Sequence, residues 1–432
     1  MIGRKKLLLL LLAITVLLSI ATGYLQILEF RSGSLNTLPA DVLWKKTYGG
    51  SGDNRAYCMV NFGDGGFLIA GSSTSVVPGR TVGLLVRISS DGDLLWNQTY
   101  VTQSGCELRK IVSLDNGFLI VGNIFLSADK VAGWMLRIDA SGNELWNRTL
   151  GGIGINKLFT AVVGFDGYIL AGLTYPNGSV NSTAWIIKTD FEGNIMWNKT
   201  YGSSQESGFH SILAVENEGF VVAGYTASAS GGDNDFWLVK INNDGAVLWN
   251  KSYGGPKRDV AYDLTKAKDG YVLVGETFSL GEGDADSLVV KTDFSGNLVW
   301  EQAYGGNNFD HSSAVIQSND EGYIIAGTTF SYGAGNRDFW VFKINDKGEV
   351  QWSLTQGDSD YEEAYAVLQV SQTSYVIAGW KGLGVGHYDF YVIKINVGHQ
   401  DPAINTIVYV AIIAVAISAC ALSATFWFYR KK

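Results

Sequence analysis

The sequence predicts an all-β fold, a seven-bladed β-propeller made of four-stranded antiparallel blades. Two observations in this chain of 432 residues support the prediction. A Trp recurs seven times at intervals of 50 to 52 residues, and each interval holds four short β-type runs separated by turn residues. Such a constant period indicates an array of one supersecondary unit. The seven tryptophans are Trp44, Trp96, Trp146, Trp197, Trp249, Trp300 and Trp352.

One repeat illustrates how a blade is encoded. Residues 209–215, 220–224, 236–241 and 246–253 are rich in β-branched, aromatic and other apolar side chains, and Gly, Asn, Asp and Ser separate them. Runs of this kind are typical of antiparallel strands with tight turns. The second run is apolar on both faces, as a strand between two neighbouring blades requires. The third run ends in a basic residue in every repeat: Arg87, Arg137, Lys188, Lys240, Lys291, Lys343 and Lys394.

The strand count at the two ends of the array predicts a closed ring. The first Trp phrase, residues 41–48, has no three runs before it, and the last repeat, within residues 362–396, lacks a Trp phrase. We therefore expect the N-terminal strand to complete the last blade, so that one propeller spans residues 41–396. Closure removes the open sheet edges that invite aggregation. Trp44 should then pack in the blade formed by residues 362–396.

The repeated Trp is predicted to be structural. Blades splay apart toward the outside of the ring, where a large flat side chain fills the gap and its indole N–H can reach a carbonyl. A Trp that stacks on a ligand is the alternative. The turn before the Trp carries Asp or Asn and then Gly, as in Asp139 and Gly142. The acidic or amide side chain can bond its own turn, and Gly can adopt a positive φ.

Three phrases recur in order: an apolar run ending in Ala-Gly, as at 220–224, then Val-Lys-Ile, as at 239–241, then Gly-x-x-x-Trp, as at 245–249. This order resembles the pyrroloquinoline-quinone-type propeller repeats, and more loosely the kelch repeats, of prokaryotic cell-surface proteins, including archaeal ones. The resemblance covers roughly residues 41–396 and implies a propeller fold. The adjacent-cysteine pair of quinoprotein dehydrogenases and the Gly-Gly and Tyr-Asp of kelch strands are missing. We therefore predict no cofactor.

Both ends of the sequence carry apolar segments. Basic residues at 4–6 and an apolar run at 7–28 are typical of a signal peptide or an uncleaved signal anchor, and a linker follows at 29–40. Residues 407–429 contain no charge and, at about 1.5 Å per residue, are long enough to cross a bilayer as a helix. A linker at 397–406 precedes them. A buried core helix is the alternative.

The flanks of the second apolar segment predict its orientation. Aromatic residues at 426–429 end the segment, and the basic tail 430–432 follows. Aromatic belts mark the membrane interface, and basic residues mark the cytoplasmic side. We therefore expect a cell-membrane protein that crosses once at its C-terminus, with the propeller outside.

The charge of the propeller region excludes one class of partner, and the cysteine content argues against disulfide bonds. All 41 acidic residues lie between Glu29 and Asp401, whereas six of the 32 basic residues lie in the two tails. The propeller region is therefore strongly acidic, which excludes nucleic acid as a partner. The three cysteines, Cys58, Cys106 and Cys420, give no disulfide framework, and we expect free thiols.

Polar residues at the start of the innermost strands are the first candidate site. We expect them to gather at one mouth of the central channel, where they could bind a ligand or cation. The alternative, which we favour, is that they are solvated loop residues that hold neighbouring blades together by hydrogen bonds. Cys106, Asn156 and Gly208 occupy the equivalent position in the other three blades. The candidates are Asn54, Arg55, Lys157, His210, Asp259, Asp310, His311 and Glu362.

Two further sets of residues are candidate metal or modification sites. Carboxylates next to glycine-rich loops can hold Ca²⁺, although the spacing here does not match a calcium loop and favours hydrogen bonds that order the loops. These weak Ca²⁺ candidates are Asp235, Asp286, Asp338 and Asp389. Asn-x-Ser/Thr sequons, candidates for glycosylation, occur at Asn97, Asn147, Asn177, Asn181, Asn198 and Asn250.

No catalytic motif occurs in the sequence, and the four histidines are scattered. We therefore predict a membrane-anchored, extracytoplasmic binding or scaffold module for a protein or glycan ligand rather than an enzyme. A propeller enzyme, such as a quinone-dependent dehydrogenase or a lyase, is the alternative.

Overall fold

The computed structural model describes residues 40–398 except 128, 176–178, 203–204, 217, 228–232 and 385. The predicted signal segment 1–28, most of both linkers, the apolar segment 407–429 and the basic tail 430–432 lie outside the described residues. Within the described residues, the structure has no helix that is long and apolar enough to cross a bilayer.

The described residues form 28 strands. In chain order they are β1 (Ala40–Tyr48), β2 (Asn54–Asn61), β3 (Phe67–Val77), β4 (Arg80–Ile88), β5 (Leu94–Tyr100), β6 (Cys106–Leu114), β7 (Gly117–Ser127), β8 (Lys130–Ile138), β9 (Glu144–Leu150), β10 (Asn156–Val163), β11 (Tyr168–Thr174), β12 (Thr183–Thr189), β13 (Ile195–Tyr201), β14 (Ser207–Val215), β15 (Gly219–Ala227), β16 (Asn234–Ile241), β17 (Val247–Tyr253), β18 (Asp259–Lys266), β19 (Gly270–Thr277), β20 (Asp286–Asp293), β21 (Leu298–Tyr304), β22 (Asp310–Gln317), β23 (Tyr323–Thr329), β24 (Asp338–Ile344), β25 (Val350–Gln356), β26 (Glu362–Gln369), β27 (Ser374–Gly382) and β28 (Tyr388–Val397).

These strands form seven antiparallel four-stranded blades, which confirms the predicted all-β, seven-bladed propeller. Blades 1 to 6 are β2–β5, β6–β9, β10–β13, β14–β17, β18–β21 and β22–β25. Blade 7 has the order β26, β27, β28 and β1, so the N-terminal strand completes it as predicted. In this last pairing Trp44 lies opposite Lys394, and Ala40 lies opposite Val397. The innermost strands of neighbouring blades contact one another around the whole ring, including β2 with β26.

The antiparallel order gives the ring two different faces. We call turn face the side on which the first and third strands of each blade end, and loop face the side on which they begin. The turn face carries the short turns between the first and second and between the third and fourth strands. The loop face carries the connections between the second and third strands and between blades. Because β1 begins at Ala40 and β28 ends at Val397, both ends of the described chain leave the ring on the turn face.

Seven apolar clusters hold the blades together, one at each interface between neighbouring blades. The second strands supply much of this core: every residue of β19, for example, is buried. The cluster that closes the ring joins Phe390 of blade 7 to Ile69 of blade 1. Because each blade is sandwiched between two others, neither face of its middle strands can tolerate solvated side chains.

The repeated Trp and Tyr join each outermost strand to the next blade. A Cβ at Gly296, which has φ +76°, would lie 2.7 Å from the Trp249 ring of the preceding blade. Trp44 lies in the same way beside Gly92 of blade 1. The hydroxyl of Tyr253 donates a hydrogen bond to the Gly296 carbonyl at 2.6 Å. The same Tyr-to-Gly bond recurs at four other interfaces, donated by Tyr48, Tyr100, Tyr201 and Tyr304.

Candidate functional site: the channel and its loop-face mouth

Each innermost strand carries one extra residue, a β-bulge, at the same place in all seven blades. A bulge leaves this residue out of the ladder and re-aims its side chain. All seven side chains are half-buried along the central channel. We call these residues the channel ring: Tyr57, Arg109, Phe159, His210, Tyr262, Ser313 and Tyr365.

Most neighbouring members of the channel ring are in contact. The Arg109 guanidinium lies 4.1 Å from the centre of the Tyr57 ring. Phe159 and His210 stack at 5.0 Å between ring centres, and His210 meets Tyr262 edge-on at 5.3 Å. Burial, together with the charges of Arg109 and Arg258, lowers the pKa of His210 to about 4. His210 is therefore a neutral aromatic member of the ring at neutral pH.

Buried carboxylates lie beside this ring toward the loop face, and each is paired with an arginine. Glu107 pairs with Arg109 at 3.0 Å and Glu363 with Arg337 at 2.5 Å. Glu276 pairs with Arg258 in the same way.

His311 lies beside one of these pairs, with Nε2 3.6 Å from Glu363 Oε1. Burial lowers the pKa of His311 against the opposing effect of Glu363. Its Nδ1 is buried and has no hydrogen-bond partner among the described residues. This part of the channel is thus polar, but its charges compensate one another.

Three arginines and several aromatic rings form the mouth of the channel on the loop face. Arg55 lies 4.8 Å from the ring centres of both Trp380 and Tyr388. Arg337 lies 4.9 Å from Phe330, and Arg258 lies 5.9 Å from Phe278. Phe309 contacts both of these phenylalanines, and Tyr361 is exposed beside Arg337. We call this set the mouth cluster: Arg55, Arg258, Arg337, Phe278, Phe309, Phe330, Tyr361 and Tyr388.

Four of the candidates from the sequence lie between blades instead of in the channel. The side chains of Asn54, Asp259, Asp310 and Glu362 are fully buried. Asp310 accepts hydrogen bonds from the backbone N–H groups of Gly306, Phe330 and Ser331 and from the Ser331 hydroxyl. These bonds order the loops, which was the alternative we gave for this set.

The other four candidates face the channel. Arg55 belongs to the mouth cluster, His210 to the channel ring, and His311 lies next to Glu363. Lys157 occupies in β10 the register position that Arg55 occupies in β2. The structure therefore brings together only half of the predicted set.

The weak Ca²⁺ candidates are buried where third strands meet the next blade. A Cβ at Gly305 would lie 1.8 Å from Asp286 Oδ1 and 2.8 Å from Asp310 Oδ2, so these two carboxyl groups are close neighbours. Asp338 and Glu362 meet in the same way beside Gly357. Burial, with the nearby charge of Asp310, raises the pKa of Asp286 to about 6.

The equivalent contact at the interface between blades 7 and 1 joins an amide and a carboxylate instead of two carboxyl groups. There Asn54 Nδ2 donates a hydrogen bond to Asp389 Oδ1 at 3.0 Å. Asp235 occupies the corresponding buried position in blade 4. Among the described residues no group of three or more His, Cys, Asp or Glu is arranged to hold a metal ion. Asp286 can share a proton with the neighbouring Asp310, whereas Glu362 is also paired with Lys381 at 2.8 Å.

Comparison with known proteins identifies the repeat. The model of a PQQ-type family, described as outer membrane protein assembly factor BamB, matches residues 131–359, more than half of the chain. The chain belongs to this family. The resemblance to PQQ-type propellers is thereby confirmed. No protein with a curated description matches the chain significantly.

Solved structures resemble this BamB-family chain only in broad shape. A protein of unknown function from Dyadobacter fermentans is 12% identical, with 83% of this chain and 99% of that chain covered and a TM-score of 0.47. Sqt1 from Chaetomium thermophilum is 8% identical, with 84% and 100% covered and a TM-score of 0.47. The β-propeller domain of the Trilobed protease from Pyrococcus furiosus is 9% identical, with 81% and 97% covered and a TM-score of 0.45.

Four of the sequon asparagines of this BamB-family propeller follow the repeated Trp and are exposed on outermost strands: Asn97, Asn147, Asn198 and Asn250. Three of them also have a structural partner. A third-strand indole N–H donates to the side-chain oxygen of Asn147, Asn198 and Asn250, at 2.6 Å for the Trp185–Asn198 pair. A glycan on the amide nitrogen would leave that oxygen free to accept the bond. Asn181 is half-buried, and Asn177 lies outside the described residues.

Sequence reasoning missed the channel ring except for His210, and it missed most of the mouth cluster. A usable pattern was present, because the seven ring positions recur with the same intervals as the repeated Trp. Their residue types differ from blade to blade, however, so no motif marks them. The cysteines were foreseen correctly for the described residues: Cys58 and Cys106 are buried and free.

Proposed function

We propose that this BamB-family propeller is a membrane-anchored, extracytoplasmic binding module that engages a protein ligand with its loop face. The mouth cluster is the observation that carries the proposal. Arg and aromatic residues dominate the binding energy at the centres of protein interfaces. Here half-exposed arginines lie against aromatic rings around one channel mouth, where their side chains are already positioned. A preorganised surface loses less conformational entropy on binding.

The position of the mouth cluster supports the anchored arrangement. The chain ends leave from the turn face, so apolar segments attached there would hold the loop face away from the membrane and accessible to a partner. The predicted orientation, with the basic tail 430–432 in the cytoplasm, would put this face outside the cell.

Site-specific photocrosslinking in intact cells of the source organism tests the proposed ligand. A photoreactive amino acid replaces exposed Tyr361 in the mouth cluster, and the matched control carries it at Phe165 on the turn face. We expect one defined protein adduct at position 361, absent at 165 and lost when Arg55 and Arg337 are both changed to Ala. An adduct that survives the double substitution would contradict the role of the mouth cluster. Binding to a glycan array without any protein adduct would show that the ligand is a glycan and not a protein.

Membrane anchoring is tested separately on the same cells. We expect the full chain to stay in the membrane fraction after alkaline carbonate washing, and external protease to reach the propeller. Release by carbonate would contradict integral anchoring, whatever the outcome of crosslinking.

The alternative of a quinone-dependent enzyme has a direct test. We expect the absorption spectrum of the purified full chain to stay unchanged after addition of pyrroloquinoline quinone and Ca²⁺. A saturable quinone spectrum would favour the enzyme.

A further inference from the structure

The outermost strand of nearly every blade begins with apolar side chains that face water. We call these residues the apolar girdle. Its main members, one in each of six blades, have between 50% and 56% of their surface exposed: Leu43, Leu95, Leu145, Met196, Leu248 and Val299. Five of these six follow another exposed apolar residue: Val42, Leu94, Ile195, Val247 and Leu298.

The fold does not require these residues to be apolar. Each main member is the extra residue of a β-bulge between the third and fourth strands. In blade 6 the same bulge contains Gln351, which is exposed, and the ladder around it is unchanged. A polar side chain is therefore compatible with the bulge. The apolar character in the other six blades points to a contact outside the propeller, because such a patch rarely stays in water.

The girdle lies on the same side of the ring as both chain ends. Because outermost strands begin at the turn face, the girdle runs around the circumference next to that face. The turn face also carries Phe165, which is 90% exposed in the turn between β10 and β11, and the exposed rings of Phe191 and Phe294. Ala40 and Val397 leave the ring here.

The length of chain beyond these ends limits what can cover the turn face. Twelve residues lead from Leu28 to Ala40, and ten lead from Val397 to Ile407. At no more than roughly 3.5 Å per residue, both apolar segments stay within roughly 40 Å of the turn face. If these segments enter the bilayer, the lipid surface is the nearest large apolar phase.

We propose that the propeller lies flat on the membrane, with the turn face down and the apolar girdle in the lipid interface. This inference rests on the anchoring proposed above. A lipid surface is flat and continuous, so it can contact six blades at once, whereas a protein partner would cover one sector of the ring.

The charges beside the girdle define the lipid chemistry. The adjoining turns carry acidic residues that are exposed (Asp91, Asp93, Glu144 and Asp244) or half-buried (Asp139 and Asp293). The basic residues at the ends of the third strands are largely buried and several are already paired, as Lys188 is with Asp166 and Lys343 with Asp320. The turns of this face also carry exposed Lys268 and Lys347, but acidic side chains outnumber them, so the turn face is unfavourable for anionic headgroups. The contact is apolar, and anionic lipid weakens it.

Quenching by lipids with a nitroxide in the acyl chain tests the contact. The full chain carries Cys420→Ser and one fluorophore on an introduced cysteine; native Cys58 and Cys106 are buried and do not compete. Leu248→Cys places the probe in blade 4, far around the ring from the chain ends in blade 7. Leu43→Cys places it beside those ends, and Val180→Cys, in an exposed loop of the loop face, is the matched control.

In vesicles of zwitterionic phosphatidylcholine we expect similar, severalfold quenching at positions 43 and 248 and none at 180. Added phosphatidylglycerol should reduce the quenching at 248, and so should Leu95→Ser combined with Leu145→Ser and Leu298→Ser. Quenching at 43 without quenching at 248 would mean that only blade 7 contacts the membrane and that the ring is upright. This result overturns flat docking but leaves the proposed anchoring intact.

Two other results would overturn the inference. A chain that fails to incorporate into the vesicles would contradict the anchoring itself. Concentration-dependent protection of position 248 in detergent without lipid, together with a dimer in sedimentation, would show that a second copy of the chain covers the girdle.

Discussion

The turn glycines before the repeated Trp meet two physical demands at once. Gly296 needs a positive φ, and it needs the absence of a side chain because Trp249 of the preceding blade lies against it. Gly65 has φ +85°, but no atom lies within 4 Å of the position that a Cβ would occupy, so it meets the first demand alone. Comparing substitutions at Gly65 and Gly296 therefore distinguishes the cost of the backbone conformation from the cost of the contact between blades.

We expect Gly65→Ala to lower the free energy of unfolding by about 1–2 kcal/mol, the usual cost of a left-handed conformation for a residue with a Cβ. Gly296→Ala should cost about 2–4 kcal/mol, because overpacking against Trp249 adds to the same conformational cost. Thermal unfolding of the full chain in detergent measures both. Equal losses for the two variants would show that the Trp–Gly contact contributes nothing.

The asparagine after the repeated Trp gives a second matched pair. Asn198 accepts a hydrogen bond from the indole N–H of Trp185 at 2.6 Å. Asn97 has the same sequence context, but blade 1 carries Leu84 where Trp185 stands in blade 3. Asn198→Ala should therefore destabilise the protein by about 1–2 kcal/mol, because the buried indole loses its acceptor. Asn97→Ala should change the unfolding temperature little, and a loss as large as that of Asn198→Ala would refute the role of the indole bond.

The buried carboxyl pair between blades 5 and 6 predicts a pH dependence. The pKa of Asp286 is raised to about 6 in the folded chain, against 3.8 as its ordinary value. The folded protein therefore holds a proton that the unfolded chain has lost between these two pH values. The stabilisation is complete below about pH 4 and disappears as the pH rises through about 6, so acidification from pH 7 to 4 should stabilise this interface by roughly 1–3 kcal/mol.

Asp286→Asn should remove this contribution to the pH dependence. Its amide can donate to Asp310 at every pH, as Asn54 donates to Asp389 at another interface. The variant should therefore be more stable than the parent at pH 7.5 and similar to it at pH 4. Asp284→Asn, an exposed change in the same loop, is the control. The measurement is the unfolding temperature as a function of pH. If Asp286→Asn and Asp284→Asn showed the same pH profile, the proposed role of the Asp286–Asp310 pair would be wrong.

At the scale of the strands, spacing predicted the elements well but not the direction of each side chain. Residues 209–215, 220–224, 236–241 and 246–253 were predicted as strands and correspond to β14 to β17 within a few residues. The side of β2 that faces the channel could not be derived in this way. Side chains alternate along a strand, so a shift of one residue exchanges the channel for the blade interface.

The innermost strands show what decides that direction. Asn54 and Arg55 are adjacent polar residues, yet only Arg55 faces the channel. The bulge at Tyr57 then re-aims the ring residue, and no local sequence motif marks it. The mouth cluster is harder still, because Arg337 and Phe330 reach it from connections whose paths depend on the neighbouring blade. Periodicity therefore predicted the fold, while the site depended on contacts between repeats.

At the scale of the whole molecule, the ring is closed by hydrogen bonds and packing instead of by a continuous blade. β1 is joined to its own blade through its pairing with β28, and the chain then continues directly into β2 of blade 1. In the other six blades the fourth strand follows the third through a short turn. Losing the packing of Trp44 can therefore release a strand, whereas losing Trp249 leaves its strand covalently held beside β16.

Trp44→Ala and Trp249→Ala test this difference. Each removes a ring that packs on the turn glycine of the next blade, and each should cost about 3–5 kcal/mol of stability at most, because both sites are partly exposed. Only Trp44→Ala should open the ring. Hydrogen exchange followed by mass spectrometry should show faster exchange in β28, the partner of β1, while β16 stays protected in Trp249→Ala. Equal protection of β28 and β16 in the two variants would mean that the closing strand holds without its Trp, and that the apolar cluster around Phe390 and Ile69 keeps the ring shut.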